Sequence, residues 1–478
     1  MSSRDSADSL LAGAAQVEIT PRAGTHLAGS VGRFRPAQLV LDPLYAKALV
    51  LARGERKLCL LTLDVTIISR PWTERIRAAA ADLGFAPAAV MVHAIQTHSA
   101  PSVGHFMLDD DFPAVPPEFE WVQGGETAYY EVAAQGAIEA IRLAHDGLQP
   151  VQVGSGSAVN DRLAFNRRGV TRDGSVIMPW LYSSRQQPLG PTNVRYLEGP
   201  TDPEVGAVCL RGDDGRMVAM ILHHTCHPVN VFTYAQAVSA DWPGAWADAM
   251  RATYGEACVP LVINGCCGNI NPWPPFEPDF VCDHRRMGRA LAETAGRIVE
   301  RMTFREESTL ASGIRDVPLG VREVAPDALA AARKVLADHP EPPWTDETHT
   351  GIAPEWVSAA SLVSVDLLRR REPQLPYEIQ VLRLGDIAIV GLPGEPFVEG
   401  QLRIKIASPT YPTYAAHCTT QYVGYLPTRE ALERGGHEVA TSYWAKLCPE
   451  ALDLVVENAA DLLREVFRDR PAAPPSAT

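Results

Sequence analysis

The chain has 478 residues, 46% hydrophobic and 21% charged, a globular balance that excludes disorder of the whole chain. Its formal charge of −14 excludes nucleic acid and anionic membrane surfaces as main partners, because both need a basic face. No run of 18 apolar residues predicts a membrane span, and the first 20 residues lack a basic region leading into an apolar stretch. The expectation is a cytoplasmic protein with no membrane anchoring, acting on a small molecule. Nine scattered cysteines, with no CxxC pair, read as reduced thiols.

In chain order, residues 1–13 read as a flexible N-terminus, and a single large domain is expected over 14–468. Apolar runs at Tyr45–Ala52 and Leu58–Asp64, split by a charged turn, predict two strands. A helix follows over Pro71–Leu83, then a buried strand at Ala89–His93. Residues 105–125, rich in acid, proline and aromatics, read as a long loop, either a lid or substrate-binding flap or a passive surface insertion. An alanine-rich helix is predicted over Glu126–Asp146, with strands at Val151–Val159, Val205–Arg211, Met217–His224 and Val259–Ile263. Helices are predicted at Trp242–Tyr254, His284–Arg301, Pro326–Asp338 and Pro354–Arg371, with a hinge-like break near 340–350. Strands at Tyr377–Leu384 and Ile387–Leu392 and helices at Glu395–Ala407 and Pro449–Arg468 close the domain, and residues 469–478 read as a disordered tail. This alternation predicts an α/β fold, a largely parallel or mixed sheet covered by helices and carrying loop insertions.

Four segments set polar side chains at the ends of apolar strands, where open α/β sheets place ligands. Strand alternation would put Gln96 and His98 on one face, able to converge on one ion or reacting atom. His223, His224 and His227 crowd into five residues, and neutral imidazole is the commonest transition-metal ligand. Glu395 follows a strand and opens a helix, a place for a metal-binding carboxylate or for plain helix N-terminal stabilisation. The tyrosine segment Gln421–Thr428 says little by itself. Within the polar stretch Asn160–Arg168, Arg162 is a candidate to clamp a substrate oxygen or simply to salt-bridge. The glycine-punctuated turn Asn264–Pro272 is able to offer backbone N–H groups to an oxyanion, but it is not a phosphate loop, since the Lys-Ser/Thr ending is missing. No Gly-x-Ser-x-Gly elbow is present, and Cys226 reads first as a small buried residue.

Taken in this order, the segments resemble the catalytic domain of the neutral/alkaline ceramidase family. The resemblance rests on Val17-Glu18-Ile19-Thr20-Pro21, Asp42-Pro43-Leu44-Tyr45-Ala46-Lys47-Ala48, Ile95-Gln96-Thr97-His98-Ser99-Ala100-Pro101, Asn160-Asp161-Arg162 against the family's Asn-Arg motif, Cys226-His227-Pro228, Gly268-Asn269-Ile270-Asn271-Pro272, Pro393-Gly394-Glu395 and Tyr422-Val423-Gly424-Tyr425. It runs as islands from about residue 14 to 440. What it implies is a zinc ion held by two His, one Glu and one Tyr, activating water to hydrolyse an amide. Carried over, the ligand positions are Gln96, His227, Glu395 and Tyr425, with His98 and Arg162 serving the reacting carbonyl; His224 and Asp241 are further candidates, to orient ligands.

At the first of these positions Gln96 stands where the family has histidine, and a neutral amide oxygen is a poorer zinc donor than imidazole. Three outcomes stay open: His98 completes the shell, the site holds a different or weaker metal, or metal binding is lost. The family's secretion signal and trailing β-sandwich are not expected for this protein. The expectation is therefore a metal-dependent hydrolase of a small soluble amide or ester, with homo-oligomer formation left open. A lyase or isomerase on the same scaffold, or a metal-free binding protein, are the alternatives.

Overall fold

A computed structural model describes residues 9–178, 194–231, 236–277, 280–307 and 309–469. Eight strands form the main sheet: β1 Leu11–Glu18, β2 Tyr45–Arg53, β3 Arg56–Leu63, β4 Val90–Ala94, β5 Gln149–Val159, β6 Glu204–Gly212, β7 Met217–His224 and β8 Val259–Asn264. Their spatial order is β8-β7-β6-β5-β1-β2-β3-β4. β3–β4 and β7–β8 run parallel, while the other neighbours are antiparallel, so the sheet is mixed rather than largely parallel. The β2–β3 hairpin turns at Gly54, whose φ of 56° suits a tight turn that other residues enter at a cost.

The N-terminal expectation needs correction. Leu11, Ala12 and Gly13 are not flexible: they pair with Ala52, Leu51 and Val50, and Ala12 is fully buried. The rest of the predicted flexible ends, residues 1–8 and 470–478, lies outside the described residues, and Asp469 is ion-paired with Arg383.

A second sheet holds β9 Leu310–Gly320, β10 Gln374–Leu384, β11 Ile387–Gly391 and β12 Thr413–Ala416 in that order, with β11 and β12 parallel. The helix Ala451–Val466 buries Leu452, Val455, Ala459 and Leu463 in the core beside it. The helix His284–Glu300 starts at Asp283, whose carboxylate accepts from the N–H groups of Arg285 and Arg286. Among the described residues no helix is long and apolar enough to cross a membrane.

The main sheet coils until its two edges meet at one end. The Asn264 backbone N–H, at the end of β8, donates to His93 Nε2 of β4 at 3.1 Å, and Asn264 Nδ2 donates to Ile95 O at 3.0 Å. The chain leaving β12 fills that seam: His417 N donates to Asn264 O, Ala94 N to Cys418 O and Thr420 N to Val92 O, at 3.0–3.1 Å. Both sheets thus direct the carboxyl ends of β4, β7, β8, β11 and β12 to one place.

Two expected loops are packed. Residues 117–123 form a short 3-10 helix, and Phe119 and Trp121 join Phe34, Trp344, Ile352 and Trp356 in one apolar cluster. The 105–125 insertion is thereby fastened to the 340–350 segment that read as a hinge. The helix expected from Glu395 begins instead at Val398, because Pro396 disfavours helical backbone at the residue before it. Glu395–Pro396 pair with Tyr425–Leu426.

Candidate active site

At the junction of the strand ends lies a cavity of about 680 Å³, whose walls include Gln96, His98, Arg167, Glu395, Tyr422 and Tyr425. From that wall Glu395 reaches the fully buried His227 behind it, Oε2 to Nε2 at 3.1 Å. His227 Nδ1 lies 3.1 Å from the Ile270 carbonyl oxygen. A carbonyl only accepts, so Nδ1 carries a hydrogen and Nε2 faces the carboxylate. That contact requires a proton or a cation between the two atoms. The separation also suits two donors on one tetrahedral ion, which sit roughly 3.3 Å apart at ordinary zinc bond lengths. As a pair, His227 and Glu395 therefore fit a metal. Among the described residues no group of three or more His, Cys, Asp or Glu side chains is arranged to hold one. Any further donor would come from Tyr425, from Gln96, or from a shift of His98.

Burial opposes the charge on Glu395, but hydrogen bonds and charges from His227, Arg167 and Tyr422 outweigh it and hold the carboxyl at about 2. Tyr422 Oη donates to Glu395 Oε1 at 2.7 Å. Tyr425 accepts from Arg167 Nη2 at 3.1 Å, and burial and Glu395 push both phenols well above their usual range. The His98 ring stands edge-on to His227 with centroids 5.4 Å apart. Burial and then His227 push His98 down to about 3, so it is a neutral imidazole.

Gln96 and His98 do share the cavity, though not by strand alternation. β4 ends at Ala94, and Gln96 turns into left-handed backbone at φ 66°, an uncommon state for a non-glycine residue. Cys267 Sγ lies 3.8 Å from Gln96 Oε1 and 3.2 Å from His417 Nδ1. Desolvation raises both Cys226 and Cys267 well above the usual thiol value, which removes them as thiolate nucleophiles at neutral pH.

Two predicted residues lie elsewhere. Arg162 is solvent-exposed on the turn after β5, where its N–H bonds Asn160 Oδ1, and it is not part of the cavity wall. The unbroken pair Asn166-Arg167, five residues on, supplies the guanidinium: Arg167 bonds Glu438 at 2.8 Å, Asn271 Oδ1 at 3.3 Å and Tyr425. Burial works against its charge, but Tyr425, Glu438 and Glu395 outweigh it and keep Arg167 a firm cation. His224 is likewise not at the cavity. It ends β7 and packs edge-on to Trp242 at 5.4 Å, while His223 stacks on Tyr414 at 4.8 Å. Strand alternation sends these two rings to opposite faces, and of the three it is His227, beyond the strand end, that meets Glu395. Asp241 accepts from Asn230 Nδ2 and the N–H groups of Val231 and Trp242, and so fixes the loop that follows His227. Sequence reasoning missed Tyr422, although its segment was singled out, and His437, which lines the cavity and stacks on Trp444 with no signal in its surroundings.

No family model and no curated protein matches the sequence. Comparison of folds finds likenesses to solved ceramidase structures. The crystal structure of neutral ceramidase from Pseudomonas aeruginosa matches with TM-score 0.69 at 17% identity, covering 98% of this chain and 76% of that one. A ceramidase structure described as complexed with C2 matches with TM-score 0.70 at 16% identity, covering 98% and 77%. At such identities the likeness is one of fold, and it is the mixed α/β fold that the motifs led one to expect.

Proposed function

We propose that the chain is a metal-dependent hydrolase, with zinc as the first candidate ion, cleaving an amide or ester bond of a small soluble substrate in the cytoplasm. The observation that carries this reading is the meeting of His227 and Glu395, 168 residues apart in sequence, at 3.1 Å, with Glu395 on the wall of the cavity. His227 and Glu395 would hold the ion, Tyr425 would add a weaker phenol donor, and His98 or Gln96 would complete the shell. A divalent ion bound there would polarise the scissile carbonyl and lower the pKa of water from 15.7 towards about 7. Hydrolysis adds one water: its hydroxyl joins the acyl carbon as the C–N or C–O bond breaks, and its proton goes to the leaving nitrogen or oxygen. Arg167, braced by Glu438 and Asn271, is a fixed cation for the negative charge growing on the carbonyl oxygen. His98, neutral beside it, serves as a donor to the ion or as a proton acceptor at the reacting group, one role excluding the other.

A second reading, a metal-free binding protein on the same scaffold, draws support from Gln96 and from the lack of a three-donor cluster among the described residues. Elemental analysis decides between the two. We expect about one divalent ion per purified chain, absent in His227→Ala and Glu395→Ala together with hydrolysis, and bound more than tenfold more tightly in Gln96→His. A wild-type chain that carries no ion and takes up none from added zinc would remove the hydrolase reading. A substrate converted without solvent oxygen entering the product acid would point instead to a lyase or isomerase.

A further inference from the structure

The cavity wall carries two kinds of surface. Trp273 and Trp444 contribute indole rings, and the same lining holds a hydroxyl, an amide and an imidazole, on Ser30, Gln236 and His437. Among the described residues these three side chains make no hydrogen bond to the protein, so their polar atoms are open to whatever enters the cavity. Each can both donate and accept. They are nonetheless held in place. The His437 ring stacks on Trp444 with centroids 6.1 Å apart and stands edge-on to Tyr425 at 5.9 Å. Gln236 is fixed through its backbone, its carbonyl oxygen accepting from Gln38 N at 2.7 Å and Leu39 N at 3.2 Å. Such groups cost nothing while water fills the cavity, but an apolar ligand would leave them unpaired.

These residues adjoin the reacting centre. Ser30 follows Gly29, where a Cβ would come within 2.7 Å of the His98 ring. Trp273 packs against Val229, two residues beyond His227. His437 meets Tyr425, which pairs through its backbone with Glu395. A ligand held by these contacts therefore lies against the bond to be cut.

We infer that the substrate is an N-acylated amino sugar, its ring against the indoles and its hydroxyls bonded by Ser30, Gln236 and His437. This rests on reading the cavity as the hydrolytic site. A sugar ring presents apolar C–H groups on its face and hydroxyls at its rim, and every hydroxyl both donates and accepts, which matches both kinds of wall. In the reaction the hydroxyl of water joins the acyl carbon, the C–N bond breaks, and the proton goes to nitrogen. The products are a carboxylic acid and the free amino sugar, and no other reactant is consumed.

Calorimetry on the full chain tests the inference with probes that have no amide to cut. These are the methyl glycosides of N-methylsulfonyl-glucosamine and N-methylsulfonyl-galactosamine, and N-methylsulfonyl-cyclohexylamine, which keeps the six-membered ring and lacks the hydroxyls. We expect one of the sugars to bind at least about tenfold more tightly than the cyclohexyl compound, because a site built to bond hydroxyls rejects an analogue without them. Gln236→Leu and His437→Phe keep side-chain bulk and break no hydrogen bond within the described protein, and each should lower that ratio at least threefold. If either variant does not fold, Ser30→Ala, at a half-buried position, takes its place. Equal affinities, a preference for the cyclohexyl compound, no binding of any probe, or a ratio unchanged in either variant would overturn the inference. Selective binding of a sugar by a chain that hydrolyses no N-acyl amino sugar would refute the hydrolase reading and leave the sugar site standing. Hydrolysis of an N-acyl alkylamine without sugar binding would do the reverse.

Discussion

At the scale of single residues, the site depends on which of two nearby arginines faces the cavity. Arg162 and Arg167 belong to one polar stretch, yet Arg162 is exposed and Arg167 is 8% exposed, with three side-chain partners. Replacing Arg167 by Met keeps the aliphatic stem and removes the cation that would meet the developing oxyanion. The expected outcome is a fall of about 10²–10³ in kcat, the range seen for one lost oxyanion donor, with KM changing far less. Arg162→Ala should leave kcat and KM within twofold of wild type, and steady-state kinetics on the two variants separate the alternatives. A large effect at Arg162 with none at Arg167 would mean that the cavity described here is not where the reaction occurs. In sequence the two differ only in that Arg167 follows Asn166 directly, while Asp161 separates Arg162 from Asn160. The distinction is made by burial, since a guanidinium is held inside only where acceptors such as Glu438 await it.

At the scale of elements, what was legible is what repeats or runs. The β2–β3 hairpin, the strands that end in Ala94, His224 and Asn264, and the longer helices all announce themselves by apolar runs or helical spacing. β1 does not, because Leu11–Glu18 is rich in alanine and glycine. Its small residues serve close packing: a Cβ on Gly13 would fall 2.0 Å from the Ala144 carbonyl oxygen of the covering helix. β9 was missed because Gly313 and Pro318 interrupt it, which the sheet tolerates because β9 is its edge. The same logic explains the candidate site. Residues just past strand ends, His98, His227 and Glu395, could be read in sequence, whereas the pairing of Glu395–Pro396 with Tyr425–Leu426 could not, as two residues carry no period. That short pair is wedged against Gly268, where a Cβ would meet Glu395 O at 2.4 Å and Pro396 O at 2.9 Å. Gly268→Ala must push the strand carrying Glu395 away from His227, since both obstacles are backbone. We expect a loss of about 1–3 kcal/mol in urea unfolding and more than a tenfold fall in metal affinity. Wild-type metal affinity in a folded Gly268→Ala chain would show that the Glu395 position is not set by this contact.

At the scale of the whole molecule, buried charge should shape how stability depends on pH. Burial disfavours the Glu438 carboxylate, but Arg167 and Arg168 outweigh it and hold the group at about 2. The unfolded chain then binds this proton more readily than the folded one, so the contribution of Glu438 is complete above its ordinary value near 4.5 and is lost as pH falls from there towards 2. Glu395 acts in the same direction. On the alkaline side Lys446 is 3% exposed, and burial pushes it down to about 7 although its Nζ donates to Tyr443 O at 2.7 Å. An amine whose folded value lies below its unfolded value is penalised wherever the unfolded chain is protonated. Stability should therefore rise between about pH 7 and 10, by at most about 1.4 kcal/mol per unit from this group. Urea unfolding across pH 3–10 should show both flanks. Glu438→Gln should shrink the acid flank and, by leaving Arg167 and Arg168 buried without their shared carboxylate, lower stability at pH 7 by about 3–5 kcal/mol. Lys446→Met should flatten the alkaline rise while leaving the acid flank in place. An alkaline rise that survives Lys446→Met would assign it to some other group and show that Lys446 keeps its charge in the folded chain.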